Sequence, residues 1–166
     1  MNSKIKRSTL SNIGGLIFWV GICYFVAWTG AQVSPGIASP EWYNALNKPS
    51  WNPPAWIFGP VWTTLYTLMG IAAWLVWKKF GFQYAKSALT AFLIQLILNG
   101  LWSQLFFGLK VPGWAFGEIF LLLAAILITT YLFSNKVKLA AWLMVPYLLW
   151  VGFATVLNGT IWWINP

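Results

Sequence analysis

Of 166 residues, 60% are apolar, 19% aromatic and only 7% charged, too few ionisable groups to cover a water-soluble domain, which usually carries about 25%. Lipid is the solvent that fits this composition. The net charge of +8 does not point to nucleic acid, which would need basic residues gathered on a wet face; here they fall in a tail and in the connections between apolar blocks.

A basic tail over residues 1–12 holds Lys4, Lys6 and Arg7 and leads into the first apolar block, Ile13 to Ala31. Basic residues before an apolar run and a small residue, Ala31, at its end are also marks of a cleaved signal. The run is longer than the usual 7 to 15 residues of such a signal, and Trp19 and Trp28 near its ends suit an interfacial anchor, so a retained span is expected. Cys23 is the lone cysteine, which excludes an intramolecular disulfide.

Residues 32–55 form a long connection with Pro35, Pro40, Pro49, Pro53 and Pro54 beside Trp42, Tyr43 and Trp51. Prolines restrict the backbone and the aromatics give it something to pack, so the segment reads as a lid over one end of a bundle. Four further blocks follow: Trp56 to Trp77, Ser87 to Phe107, Gly113 to Phe133 and Leu139 to Trp163. Each approaches or exceeds the roughly 20 helical residues that cross a hydrocarbon core. In lipid every amide needs an internal partner, and the alternating ten-residue segments of a β-barrel are absent, so the spans are helices.

The expected fold is therefore an all-α integral membrane protein with five spans, over residues 13–163. Eight basic residues lie in the tail and in the second and fourth connections, and two, Lys48 and Lys110, in the first and third. This bias places the N-terminus in the cytoplasm. Pro60 and Pro146 lie within spans and are expected to bend them.

Helical spacing groups Gly59, Trp62, Tyr66, Gly70 and Ala73 on the second span, Gln95, Asn99, Trp102 and Phe106 on the third, and Tyr147, Trp150, Ala154 and Asn158 on the fifth. For any one of these residues, ordinary helix packing is the better reading. Three such faces together favour a cavity, because a buried amide or indole N–H needs a partner and a dry interface is built more simply from Leu and Ala.

There is no histidine, and the only carboxylates are Glu41 and Glu118. That excludes a serine triad, a zinc centre and most acid–base hydrolysis. Glu118 stands five residues into its block and is expected to reach water at the span's end; the alternative reading is a proton-coupled small-molecule exporter using Glu118. Leu127, Tyr131 and Lys136 fit a loose cholesterol-contact pattern that arises often by chance.

From Glu41 to Asn158 the sequence resembles the translocator protein family, TspO, once called the peripheral benzodiazepine receptor. The stretches that carry the resemblance are Trp42-Tyr43, Lys48-Pro49-Ser50-Trp51-Asn52-Pro53-Pro54, Gly59-Pro60-Val61-Trp62 with Leu65-Tyr66, Asn99 with Trp102 and Phe106-Phe107-Gly108, and Pro146-Tyr147-Leu148 with Trp150 and Phe153 to Asn158. The resemblance implies a retained first span, five transmembrane helices, a homodimer in the lipid bilayer, and a pocket closed by the first loop. The pocket would take porphyrins (protoporphyrin IX or haem), sterols, and benzodiazepine- or isoquinoline-type drugs as ligands, with no required cofactor and no metal. By resemblance its residues are Trp42, Trp51, Trp62, Tyr66, Asn99, Trp102, Trp150, Phe153 and Ala154. Trp62 and Trp150 are implied in light-dependent breakdown of protoporphyrin, a reaction with no conventional catalytic group here. The tyrosine and arginine of the animal sterol motif do not follow Asn158, which tells against cholesterol handling. The short basic tail, without an Arg-rich and Ser-rich transit segment, points to a bacterial cell membrane.

Overall fold

In a computed structural model, which describes residues 8–34 and 40–165, every apolar block is helical. Five long helices are long and apolar enough to cross a membrane: α1 (Thr9–Ala31), α3 (Ala55–Tyr84), α4 (Lys86–Ser103), α5 (Pro112–Ser134) and α6 (Lys138–Ile164). A short helix, α2 (Pro40–Ala45), lies in the first connection, and α4 runs on into a π-helical turn, Gln104–Gly108. The protein is an all-α membrane bundle. Most of the basic tail and residues 35–39 of the first connection lie outside the described residues.

The helices close into a ring in the order α1, α3, α6, α5, α4, with α5 against α6 and α1 against α3 as the most extensive contacts. Buried Met69, Phe92, Leu122, Ile126 and Met144 fill its middle. The outer surface is as apolar as the inside: Phe18, Phe25, Ile97, Leu121 and Leu149 all stand exposed, as a lipid-facing wall requires. Lys78, Lys79, Lys86, Lys136 and Lys138 gather at one end, where Lys136 Nζ donates to the Tyr84 carbonyl at 3.0 Å. The first connection covers the opposite end.

Pro60 and Pro146 both sit within helix, as expected of span prolines, and α3 also carries a break at Gly81, whose φ of 64° only glycine adopts freely. Two expectations change. Gly70 does not share a cavity face with Trp62: a Cβ there would stand 2.7 Å from Val20 Cα, so it is the point where α1 and α3 touch backbone to backbone. Gly59 has no atom within 4 Å of its Cβ position and borders no wall.

Candidate functional site

At the covered end, α3, α4 and α6 surround a small cavity of about 50 Å³. Its walls are Phe58 and Trp62 from α3, Trp102 from α4, Phe106 and Phe107 from the π-helical turn, and Trp150, Phe153, Ala154, Leu157, Asn158 and Ile161 from α6; Tyr43 of α2 closes it. The empty space lies in narrow crevices between rings. The rings meet mostly edge to face, as aromatic quadrupoles prefer: Phe58 on Trp150 at 5.9 Å and Tyr43 on Phe107 at 5.7 Å, while Trp102 stacks on Phe106 at 5.2 Å.

The π-helical turn explains how two consecutive phenylalanines serve one wall. Hydrogen bonds from Leu109 N to the Gln104 carbonyl (2.7 Å) and from Val111 N to the Leu105 carbonyl (3.0 Å) widen the turn, and Gln104 Nε2 ties it to α1 through the Thr29 carbonyl at 3.2 Å. Two residues that an α-helix would set about 100° apart both reach the cavity. Such turns occur frequently at functional sites.

Polar groups on the walls differ in whether they are satisfied. Asn158 accepts from Trp102 Nε1 at 3.0 Å and donates to the Pro112 carbonyl at 2.9 Å, locking α4, α5 and α6 together. Trp150 Nε1 is buried with no hydrogen-bond partner among the described residues.

Of the residues expected in the pocket, Trp62, Trp102, Trp150, Phe153 and Ala154 line this cavity. Trp42 and Trp51 do not. They stand behind its walls, Trp42 edge-on to Phe106 and Trp51 edge-on to Phe153, both at 5.9 Å, with Trp51 46% exposed. Tyr66 and Asn99 lie deeper, buried and hydrogen-bonded to each other, with the Tyr66 ring 5.4 Å from Trp62. Phe58, Leu157 and Ile161 were not singled out, although Phe58 is one turn from Trp62 and the other two continue the Ala154 face. Tyr43 and Phe107 carry no such periodic signal.

The cover is held by its own polar chemistry. Lys48 Nζ donates to the carbonyls of Tyr43 (2.5 Å), Leu46 (2.8 Å) and Asn44 (3.3 Å), capping the end of α2 where carbonyls lack partners. The Asn165 side chain makes a two-way bond with the Asn47 backbone, both arms at 2.9 Å, and so fastens the connection to the end of α6. Burial pushes the Tyr43 phenol above its ordinary range, its hydrogen bond with Asn52 opposing the shift.

Glu118 requires a correction. It does not reach water: it lies on the inward face of α5 with Ala115 and Leu122, 7% exposed, and neither carboxyl oxygen has a hydrogen-bond partner among the described residues. The position near the start of the span is right for an interface, but the side chain points to the bundle rather than along the helix to its end.

The sequence profile of the TspO/MBR family matches residues 19–164. The chain belongs to the TspO/MBR family. The translocator protein of Homo sapiens is 44% identical over 124 residues, which cover 74% of this chain and 73% of that one. The tryptophan-rich protein TspO of Chlorobaculum tepidum is 43% identical over 155 residues, 91% of this chain and 96% of its own length. The tryptophan-rich sensory protein of Cereibacter sphaeroides is 38% identical over 142 residues, 84% and 88% respectively. The matched TspO/MBR region spans the cavity walls, its cover and all five helices except the first turns of α1. Among the described residues there is no group of three His, Cys, Asp or Glu side chains placed to hold a metal.

Proposed function

We propose that this protein is a membrane receptor or carrier for planar apolar ligands, with porphyrins such as protoporphyrin IX or haem as the leading class. The observation that carries this reading is the ring-lined cavity at the covered end, where Trp62, Trp102 and Trp150 converge. Flat aromatic molecules gain from stacking and apolar burial there, and the unpartnered Trp150 Nε1 offers a donor to a ligand carbonyl or carboxylate. A tetrapyrrole is accommodated by parting the cover from the aromatic floor, since the cavity is divided into crevices; the first connection then acts as a lid. Family membership supports the same class of ligand, and by the sequence resemblance the proposal extends to benzodiazepine- and isoquinoline-type compounds.

The test is a titration of purified protein with protoporphyrin IX, followed by quenching of tryptophan fluorescence. Replacing Trp62 and Trp150 together with Ala weakens binding, and unchanged affinity in a double variant that keeps its helical circular dichroism would sink the reading. Running the same samples in light, in darkness and without oxygen asks whether bound pigment is destroyed. Products that depend on light, oxygen and both tryptophans support a photochemical role for Trp62 and Trp150, whereas identical products with the protein omitted remove it.

A further inference from the structure

At the end opposite the covered one, α4 and α5 leave between them an open groove of about 700 Å³, within the roughly 300–1,000 Å³ that small ligands occupy. Its floor is apolar and faces outward: Ala91 and Ile94 come from α4, and Ile128 and Leu132, one turn apart, from α5. Ala91, with no more than a methyl group, leaves depth among these larger neighbours. The mouth is polar. Lys86, Ser87 and Thr90 line it from the first turns of α4, and Gln83 and Tyr84 from the chain that follows the break at Gly81.

This mouth carries unspent donors and unbalanced charge. Lys136 Nζ is held at the rim by the Tyr84 carbonyl at 3.0 Å, which uses one of its three donors. Within the spans Thr129 and Thr155 donate to the carbonyl four residues back, whereas the Ser87 and Thr90 hydroxyls have no partner among the described residues. The first turn of α4 has no side-chain cap, so its amides add partial positive charge at the same level. Five lysines, Lys78, Lys79, Lys86, Lys136 and Lys138, gather at this end, while the two acidic side chains, Glu41 and Glu118, lie toward the covered end. No carboxylate side chain is there to neutralise them.

We propose that this groove binds one anionic phospholipid, with its phosphate at Lys86, Ser87 and Thr90 and the upper part of an acyl chain laid over Ala91 toward Ile94. The inference is independent of what the cavity at the covered end binds. Charge sets the chemistry of the occupant: ammonium and hydroxyl donors match phosphate oxygens, which only accept, and a basic pocket between membrane helices suits an anionic headgroup. Shape sets its source. Ile94 stands two turns, about 12 Å, deeper than Lys86 along α4, so the polar mouth and the apolar floor follow each other in the order in which headgroup and chain stand in a bilayer. A second copy of this chain seated there would bring its own lysines to the same level, against like charge.

Delipidated full-length protein is titrated with phosphatidylglycerol or phosphatidylcholine, and bound copies are counted by native mass spectrometry, for the wild type, Lys86→Gln, Ala91→Phe and Lys78→Gln. Lys78 lies outside the groove, over the Trp74 ring at 4.6 Å, and controls for net charge. The wild type is expected to hold one phosphatidylglycerol about tenfold more tightly than phosphatidylcholine, and Lys86→Gln to weaken it about fivefold. Ala91→Phe, which fills the floor, weakens it at least as much, and Lys78→Gln leaves it within about twofold. Lys86 is exposed and Ala91 half-buried, so neither change enters the core, and unaltered helical circular dichroism checks each variant. Equal affinity for the two lipids, equal losses in Lys78→Gln and Lys86→Gln, or an indifferent Ala91→Phe overturns the proposal. So does displacement of the lipid by glycerol phosphate, which would make this a site for soluble phosphates, or a dimer mass that Ala91→Phe abolishes while lipid binding persists, which would give the groove to a second copy.

Discussion

Replacing Gly70 with Ala tests how α1 is seated on the helix that carries Trp62 and Tyr66. The added Cβ would lie 2.7 Å from Val20 Cα, 2.9 Å from Val20 Cγ2 and 3.1 Å from the Trp19 carbonyl oxygen, all inside the 3.4 Å at which ordinary contact begins. Two of those atoms are backbone, so no rotamer change relieves the clash and α1 must move as a unit. Overpacking against backbone falls in the upper part of a range of about 1–3 kcal/mol, so about 2–3 kcal/mol here, and the better helix propensity of Ala returns about 0.5–1 kcal/mol, leaving a net loss of about 1–2.5 kcal/mol. Gly117→Ala on α5 is the control, because nothing lies within 4 Å of its Cβ position; there the propensity gain stands alone. Thermal unfolding in a fixed detergent should lower the midpoint for Gly70→Ala and hold or raise it for Gly117→Ala. A Gly70→Ala protein as stable as wild type, or equal losses in both, would refute the backbone-to-backbone seat.

Three other outcomes follow from the site and its cover. Asn158→Leu removes the acceptor of Trp102 Nε1 and is expected to cost about 1 kcal/mol, the scale of such bonds in membrane bundles; Trp102→Phe added to it should recover part of the loss, as a double-mutant cycle of unfolding midpoints would show. Asn165→Ala releases the two-way bond to Asn47, so stopped-flow binding should give faster association and faster dissociation of porphyrin than in wild type. For Tyr43, whose folded pKa is raised by burial above the ordinary value of 10.0, the unfolded state loses its proton first. Its contribution is then complete below about pH 10 and falls as pH rises through the folded value. An alkaline drop in stability that is smaller in Tyr43→Phe than in wild type is the expected result.

The bundle was legible because lipid imposes one requirement, length in apolar residues, that a sequence displays openly. Its ends were less so. The second block was read to Trp77, where the lysines start, yet α3 continues to Tyr84: Lys78 rests over the Trp74 ring at 4.6 Å and Lys79 over the Phe80 ring at 5.3 Å, so long basic stems ride the helix instead of ending it. Helical periodicity placed Trp150, Ala154 and Asn158 on one wall, but it could not show that Tyr147, at the same spacing, lies below the cavity rather than beside it. Glu118 was misread from distance along the chain alone; its i−3 and i+4 neighbours, Ala115 and Leu122, already mark an inward stripe. The role of Lys48 depends on three carbonyls brought together by α2, a helix of six residues that five nearby prolines disguise as irregular chain.

The π-helical turn at Gln104–Gly108 makes the aromatic wall a matter of counting as well as of composition. An extra residue in one turn is a local insertion absorbed by the ladder, and removing it returns the following chain to ordinary α-helical phase. A one-residue deletion there would therefore leave every other wall residue in place while rotating Phe107 or its neighbour out of the cavity. The pocket's shape can thus be reset by a length change of one residue, without exchanging a single side chain on the other helices.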